Sequence, residues 1–189
     1  MSNFQRPAWR KPAPLGYGPA LDSMSNVAAP LLAGFSITAI AAVAADSDKF
    51  RWPGAALVAL TLATMLLVTS LQFGFHARGY LYSGEDLRAW WTDEELERRS
   101  DELQQTQHDH FGRWQQWGAR ARLAYNSGII VLALGIALLL APPPSAVHAE
   151  AALRWIAAAL AGIGALGEFG WGAFPAIYRK FQISRESVK

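Results

Sequence analysis

Apolar positions in this chain fill whole windows instead of recurring every third or fourth residue. Four such runs lie at 27–45, 54–75, 124–141 and 155–175, three without any charged residue and the last with one, Glu168. A helix rises about 1.5 Å per residue, so runs of about 20 residues match a hydrocarbon core about 30 Å thick. A helix facing water on one side would be interrupted by polar residues at each turn. The pattern therefore predicts an all-α membrane protein with transmembrane spans over about 27–45, 54–76, 124–141 and 152–175.

The segments between the runs carry the punctuation. The lead, 1–26, holds Pro7, Trp9, Pro12, Pro14 and Tyr17 and is expected to be extended or docked on the membrane surface. Asp22 and Ser23 offer N-cap oxygens for the first span, with Pro30 in its first turn. The connection 46–53 is short enough to make the first two spans an antiparallel hairpin. The second span leads into His76, Arg78, Tyr80 and Tyr82, an aromatic and basic collar suited to headgroup level. Thr92-Asp93-Glu94-Glu95 reads as a capping box. From it a helix is expected to run past Leu96, Leu103, Phe111, Trp114 and Trp117 directly into the third span, ending before Pro142-Pro143-Pro144. The fold class is thus four transmembrane helices with a helical cytoplasmic extension between helices 2 and 3. Gly162, Gly164, Gly167, Gly170 and Gly172 suggest close packing of the fourth span, or a kink together with Pro175.

Composition sharpens this picture at two points. The 189 residues are 52% hydrophobic with a mean hydropathy of only +0.11, an average over apolar spans and a polar loop, 79–123. One domain, 27–178, is expected, with the lead 1–26 and a tail 179–189. The absence of cysteine removes disulfides, thiolate metal sites and thiol nucleophiles. Basic residues are uneven: Arg6, Arg10 and Lys11 precede the first span, seven arginines from Arg78 to Arg122 lie in the long loop, and Arg179, Lys180, Arg185 and Lys189 follow the last span. The other two connections hold only Lys49, Arg51 and Arg154. By the positive-inside bias, both termini and the long loop are expected in the cytoplasm, in a multi-pass plasma or inner-membrane protein. The pI near 9.1 then reflects topology, and no clustered basic face calls for a nucleic acid. Ala42-Val43-Ala44 has the small-x-small form of a signal-peptidase site, but a 26-residue polar lead is long for an n-region, so the run is read as a retained span.

Candidate chemistry is sparse. Glu168 is an intramembrane acid that needs a partner, water or a proton. Pro30, Gly34, Thr38 and Ala42 recur four apart and form a small-residue stripe flanked by Leu31 and Phe35. Such a stripe serves as a packing seam, or as the lining of a narrow pore if several copies surround an axis, with Asp46 and Asp48 as acidic rings at the outer mouth. His108 and His110 point apart on a helix, so no metal site is expected, and the histidines are misplaced for haem. No phosphate loop, nucleophile elbow or carboxylate pair supports an enzyme, and no cofactor is expected. Trp90, Trp91, Trp114 and Trp117 in the long loop are candidate anchors for a soluble partner or for the membrane surface.

The stretch from Leu31-Leu32-Ala33-Gly34-Phe35-Ser36-Ile37-Thr38 through Ala42 to Asp46-Ser47-Asp48, continuing to Pro53-Gly54, resembles the first two membrane helices of the Orai calcium-channel family. A looser similarity extends over 122–140 and over 174–181, where Tyr178-Arg179 ends the last span. The resemblance implies four-span subunits with cytoplasmic termini in a homo-oligomeric ring whose first helix lines the pore. Leu31, Gly34, Phe35 and Thr38 would then face the axis, with Asp46 and Asp48 at the mouth. Where that family carries its calcium-selecting glutamate, this chain has Ala42, and a ring of methyl groups cannot replace the hydration of a divalent ion. The basic residues that the family places at the inner end of its first helix are replaced by Asp22, Ser25 and Asn26, and no coiled-coil extension is expected in the tail 179–189 after the last span. The expectation is a cation-permeable pore without calcium selectivity. The alternative is a membrane-anchored scaffold that binds a soluble protein through 84–122.

Overall fold

The computed structural model describes residues 9–12 and 14–186, with side chains through residue 168. Arg6, Pro7 and Lys189 lie outside the described residues. Among the described residues all regular structure is helical: α1 (Tyr17–Ser23), a π-helical turn (Met24–Ala28), α2 (Ala29–Ala45), a 3₁₀ turn (Ser47–Lys49), α3 (Pro53–Arg78), α4 (Gly84–Trp90), α5 (Asp93–Arg98), α6 (Ser100–Leu140) and α7 (His148–Glu186). Four of these stretches, Tyr17–Ala45, Pro53–Arg78, Ser100–Leu140 and His148–Glu168, are long and apolar enough to cross a membrane.

The first span begins earlier than its sequence suggests. No cap forms at Asp22 or Ser23; the helix already starts at Tyr17, and Asp22 instead pairs with Arg78 at 3.0 Å. Proline at position 30 has no N–H to return to the preceding turn. The chain accommodates this by widening over Met24–Ala28, where the Ala29 amide donates to the Met24 carbonyl five residues back. Pro53 opens α3 at a position where its missing donor is harmless.

Capping boxes at Ser83/Asp86 and Thr92/Glu95 start α4 and α5. The helix from Thr92 does not continue into the third span as expected. It stops at Arg99, and α6 starts afresh at Ser100. From there α6 runs 41 residues without a break, about 60 Å, twice the hydrocarbon thickness. It ends at Ala141, against the proline run. The last helix does not end near Pro175; α7 continues through it to Glu186, so most of the expected tail is helical.

Packing follows the order α2, α3, α6, α7, with the α3–α6 pair at the centre. That seam is antiparallel and built on a seven-residue spacing. Leu60 and Leu67 of α3, both fully buried, fill the spaces left by Gly135 and Gly128 of α6, where a Cβ would come within 3.0 and 2.9 Å of them. One turn on, the buried Ser70 hydroxyl donates to the Ala121 carbonyl at 2.9 Å, which ties the two helices with a polar bond shielded from lipid. Helix α2 lies on this pair through Ala29, Ala33 and Val43 against Leu67, Leu60 and Leu132. The glycines of α7 do not serve close packing within the chain: a Cβ at Gly162, Gly164, Gly167 or Gly170 meets no described atom within 4 Å.

At the end bearing the long loop, Leu21, Ala77, Phe111, Trp114 and Ala121 form a separate core, joined by Tyr17, Phe73 and Trp117. Arginines lie over its aromatic rings, Arg120 on Trp117 at 4.7 Å and Arg122 on Tyr17 at 5.5 Å. The opposite end carries a smaller belt, Arg51 over Trp52 and Trp155. From Pro53 to His76 along α3 is about 35 Å, so the two aromatic and basic belts are spaced as the two interfaces of a bilayer.

Candidate functional site

Helix α2 has two unlike faces. Ala29, Ala33, Ser36 and Val43 are buried against α3 and α6, whereas Leu31, Gly34, Phe35, Thr38 and Ala42 are exposed on the side away from the bundle. The split follows from helical spacing, since the exposed set recurs every three or four residues. The chain's own helices leave this stripe uncovered along the full length of α2. Its two halves differ: Leu31 and Phe35 present large apolar groups towards the long-loop end, and Thr38 and Ala42 present small ones towards the short loop. The Thr38 hydroxyl donates to the Gly34 carbonyl at 3.1 Å, and that of Ser36 to Leu32 at 2.9 Å. Both hydroxyls are thus satisfied within the helix, which lowers the cost of an apolar environment.

Asp46 and Asp48 sit at the short-loop end of α2, both exposed. Sequence reading missed their neighbour: Lys49 pairs with Asp46 at 2.9 Å across the 3₁₀ turn. The hydrogen bond to Asp46, helped by the charges of Asp46 and Asp48, raises the Lys49 pKa above its ordinary value. The ammonium offsets one of the two carboxylates, leaving this end of α2 with about half the negative charge its two aspartates alone would give. The i, i+3 spacing on a tight turn was the available signal.

Glu168 is exposed on α7. It lies on the helix farthest in packing order from α2, so the structure does not bring it together with the stripe. The tryptophans of the loop also separate. Trp114 is 2% exposed, edge-on to Tyr17 at 5.3 Å, and is corrected from partner anchor to core residue. Trp117 is half-buried between Phe73 and His76, Trp91 is partly covered with Arg99 over its ring, and Trp90 alone of the four is largely free, at 82%. His108 accepts from Arg10 Nε at 3.2 Å, while His110 sits between Tyr80 and Tyr82.

The described part of the lead is tied to α6 at Arg10. The Gln107 amide brackets the backbone of Arg10, accepting from its N–H at 3.1 Å and donating to its carbonyl at 2.7 Å. Such a clasp pairs residues 97 apart in sequence and leaves no local signal. No family model, curated protein or solved structure matches this chain.

Proposed function

We propose that the protein is a homo-oligomeric, cation-permeable membrane pore lined by its first span, with both termini and the long loop in the cytoplasm. The observation that carries this reading is the uncovered stripe Leu31, Gly34, Phe35, Thr38 and Ala42, on a helix whose opposite face is sealed against α3 and α6. Copies assembled with α2 innermost would bury that stripe around an axis and leave α7 outermost. Leu31 and Phe35 would form an apolar constriction of the kind that gates by dewetting, and Asp46 and Asp48 would draw cations to the outer mouth. The likeness to Orai-type subunits supports the same arrangement. Ala42 in place of a glutamate removes the ligands for a dehydrated divalent ion, so monovalent cations are the expected permeant species.

The test is reconstitution into planar bilayers. Purified protein should carry cation current, and Ala42→Glu or Thr38→Glu should change conductance and raise the divalent-to-monovalent permeability ratio. A protein that passes no current, with both substitutions silent, overturns the pore.

The exposure of Trp90 favours a second reading, a membrane anchor whose 84–122 segment binds a soluble protein. Capture of a partner by the full chain in detergent, lost on Trp90→Ala, would support it; no partner in either case would remove it.

A further inference from the structure

The clasp between the lead and α6 borders an open cleft of ≈ 650 Å³ that the pore reading does not use. Its walls come from the lead, the start of α1, the residues after α3, and α4 to α6. Two chemistries meet there. Trp9, Leu15, Leu81, Leu87 and Leu96 give it apolar sides, and Arg10, Lys11 and Arg88 are its cations. The only acid among its described lining residues, Asp86, is engaged by the Ser83 amide and hydroxyl in the α4 cap. Lys11 has no ion pair among the described residues, and Arg88 reaches Asp93 only at 3.6 Å, with both side chains largely exposed. The cleft is therefore amphiphilic with a net positive charge.

Its level in the bilayer decides what such a cleft would hold. Leu81 packs against Gly18 of α1, one residue from Tyr17 in the interfacial aromatic layer, and three residues past the end of α3 at Arg78. The Gly18–Leu81 wall of the cleft is thus next to the interfacial aromatic layer, where α1 begins and α3 has just ended. An occupant there meets apolar surface towards the membrane and cations towards water, the polarity of a phospholipid with an anionic headgroup.

We propose that this cleft binds one anionic phospholipid per protomer, its phosphate among Arg10, Lys11 and Arg88 and its glycerol and upper acyl carbons along Leu15 and Leu81. The bound lipid would hold the lead on α6 and so fix the inner end of the first span. The site stands whether or not the protein conducts.

The experiment is native mass spectrometry of the full-length protein released from nonionic detergent. It is titrated separately with phosphatidylglycerol and with phosphatidylcholine of matched chains. The expected result is one phosphatidylglycerol retained per protomer, at least tenfold tighter than phosphatidylcholine. Arg10→Gln/Lys11→Gln/Arg88→Gln should erase that preference. Lys11→Glu, on an exposed residue outside any helix, should reduce it severalfold without touching the fold. Arg120→Gln, whose guanidinium lies on Trp117 outside the cleft, should retain it. Equal binding of the two lipids, an unchanged Lys11→Glu protein, or an equal loss in Arg120→Gln would overturn the site. Full displacement by millimolar glycerol phosphate would overturn it too, giving the cleft to a soluble anion instead.

Discussion

Gly74→Ala tests the packing logic where it is least forgiving. Gly74 of α3 faces Ser25 in the π-helical turn, and a methyl group there would overlap both Oγ and Cβ of that serine. Rotating the hydroxyl relieves only the first contact, because Cβ is fixed to the backbone. Overpacking of this kind costs about 1–3 kcal/mol. Replacing a helical glycine by alanine returns about 0.5–1 kcal/mol through the unfolded chain. The expected net loss is about 1–2 kcal/mol. Gly164→Ala, where a Cβ meets nothing described within 4 Å, should show the small gain alone. Unfolding by a denaturing detergent, followed by circular dichroism, measures both. The double variant Ser25→Gly/Gly74→Ala should recover most of the loss, a coupling of about 1 kcal/mol or more between touching residues. If Gly74→Ala is as stable as the parent, or if Ser25→Gly fails to rescue it, the close approach of α3 to the π-helical turn is wrong.

Three further outcomes follow from other parts of the molecule. Hydrogen bonds from the Ser83 amide and hydroxyl hold Asp86 below the usual carboxylate range, and those from Thr92 do the same for Glu95. A depressed folded pKa gives stability present above the unfolded value and lost as pH falls through the folded one, so amide protection in α4 and α5 should drop on acidification below about pH 4. Asp86→Asn with Glu95→Gln should reproduce that loss at pH 7 in hydrogen exchange. Trp114→Ala should destabilise by about 3–5 kcal/mol, as emptying an aromatic core site does, whereas Trp90→Ala should stay within about 0.5 kcal/mol in the same detergent titration. In planar bilayers, Lys49→Ala should raise cation conductance at low ionic strength by unmasking Asp46, with the difference fading in high salt.

The spans were legible because lipid imposes one requirement on every residue it touches, and 27–45, 54–75 and 124–141 meet it without a charge. Their ends were legible only where the cause is local. Pro142 stops α6 and Thr92 caps a helix, and both signals lie within four residues. The start of the first span was misread because Asp22 bonds to Arg78, 56 residues away, rather than to its own helix. Glycine was misread for a related reason. The dense set in α7 draws the eye, yet two of the glycines that matter for packing, Gly128 and Gly135, share a seven-residue spacing with Leu60 and Leu67. That match emerges only when two distant segments are read together. Trp114 shows the limit for the loop: its neighbours on α6 give no sign that Tyr17 lies against its ring.

The two outer helices of the layered bundle both leave a face uncovered, and their side chains tell them apart. The free face of α7 carries Leu153, Ile156, Leu160, Ile163 and Leu166, bulky groups that gain from contact with acyl chains and would close any axial space by volume alone. The free face of α2 carries Gly34, Thr38 and Ala42 beside Leu31, Phe35 and Ile37, with two carboxylates where it ends. Small residues are exposed on α7 as well, at Gly164, Gly167 and Gly170, so what sets α2 apart is the carboxylate pair at the end of its free face. Under the proposed assembly around α2, those carboxylates would form rings at one end of the axis. Ala42→Leu separates these cases. On a lipid-facing helix it should leave stability unchanged or slightly raised and any current intact. On an axial helix it should block current while Ile163→Ala, on the face assigned to lipid, leaves it unaltered. Current that survives Ala42→Leu but falls in Ile163→Ala would invert the arrangement and make α7 the inner helix.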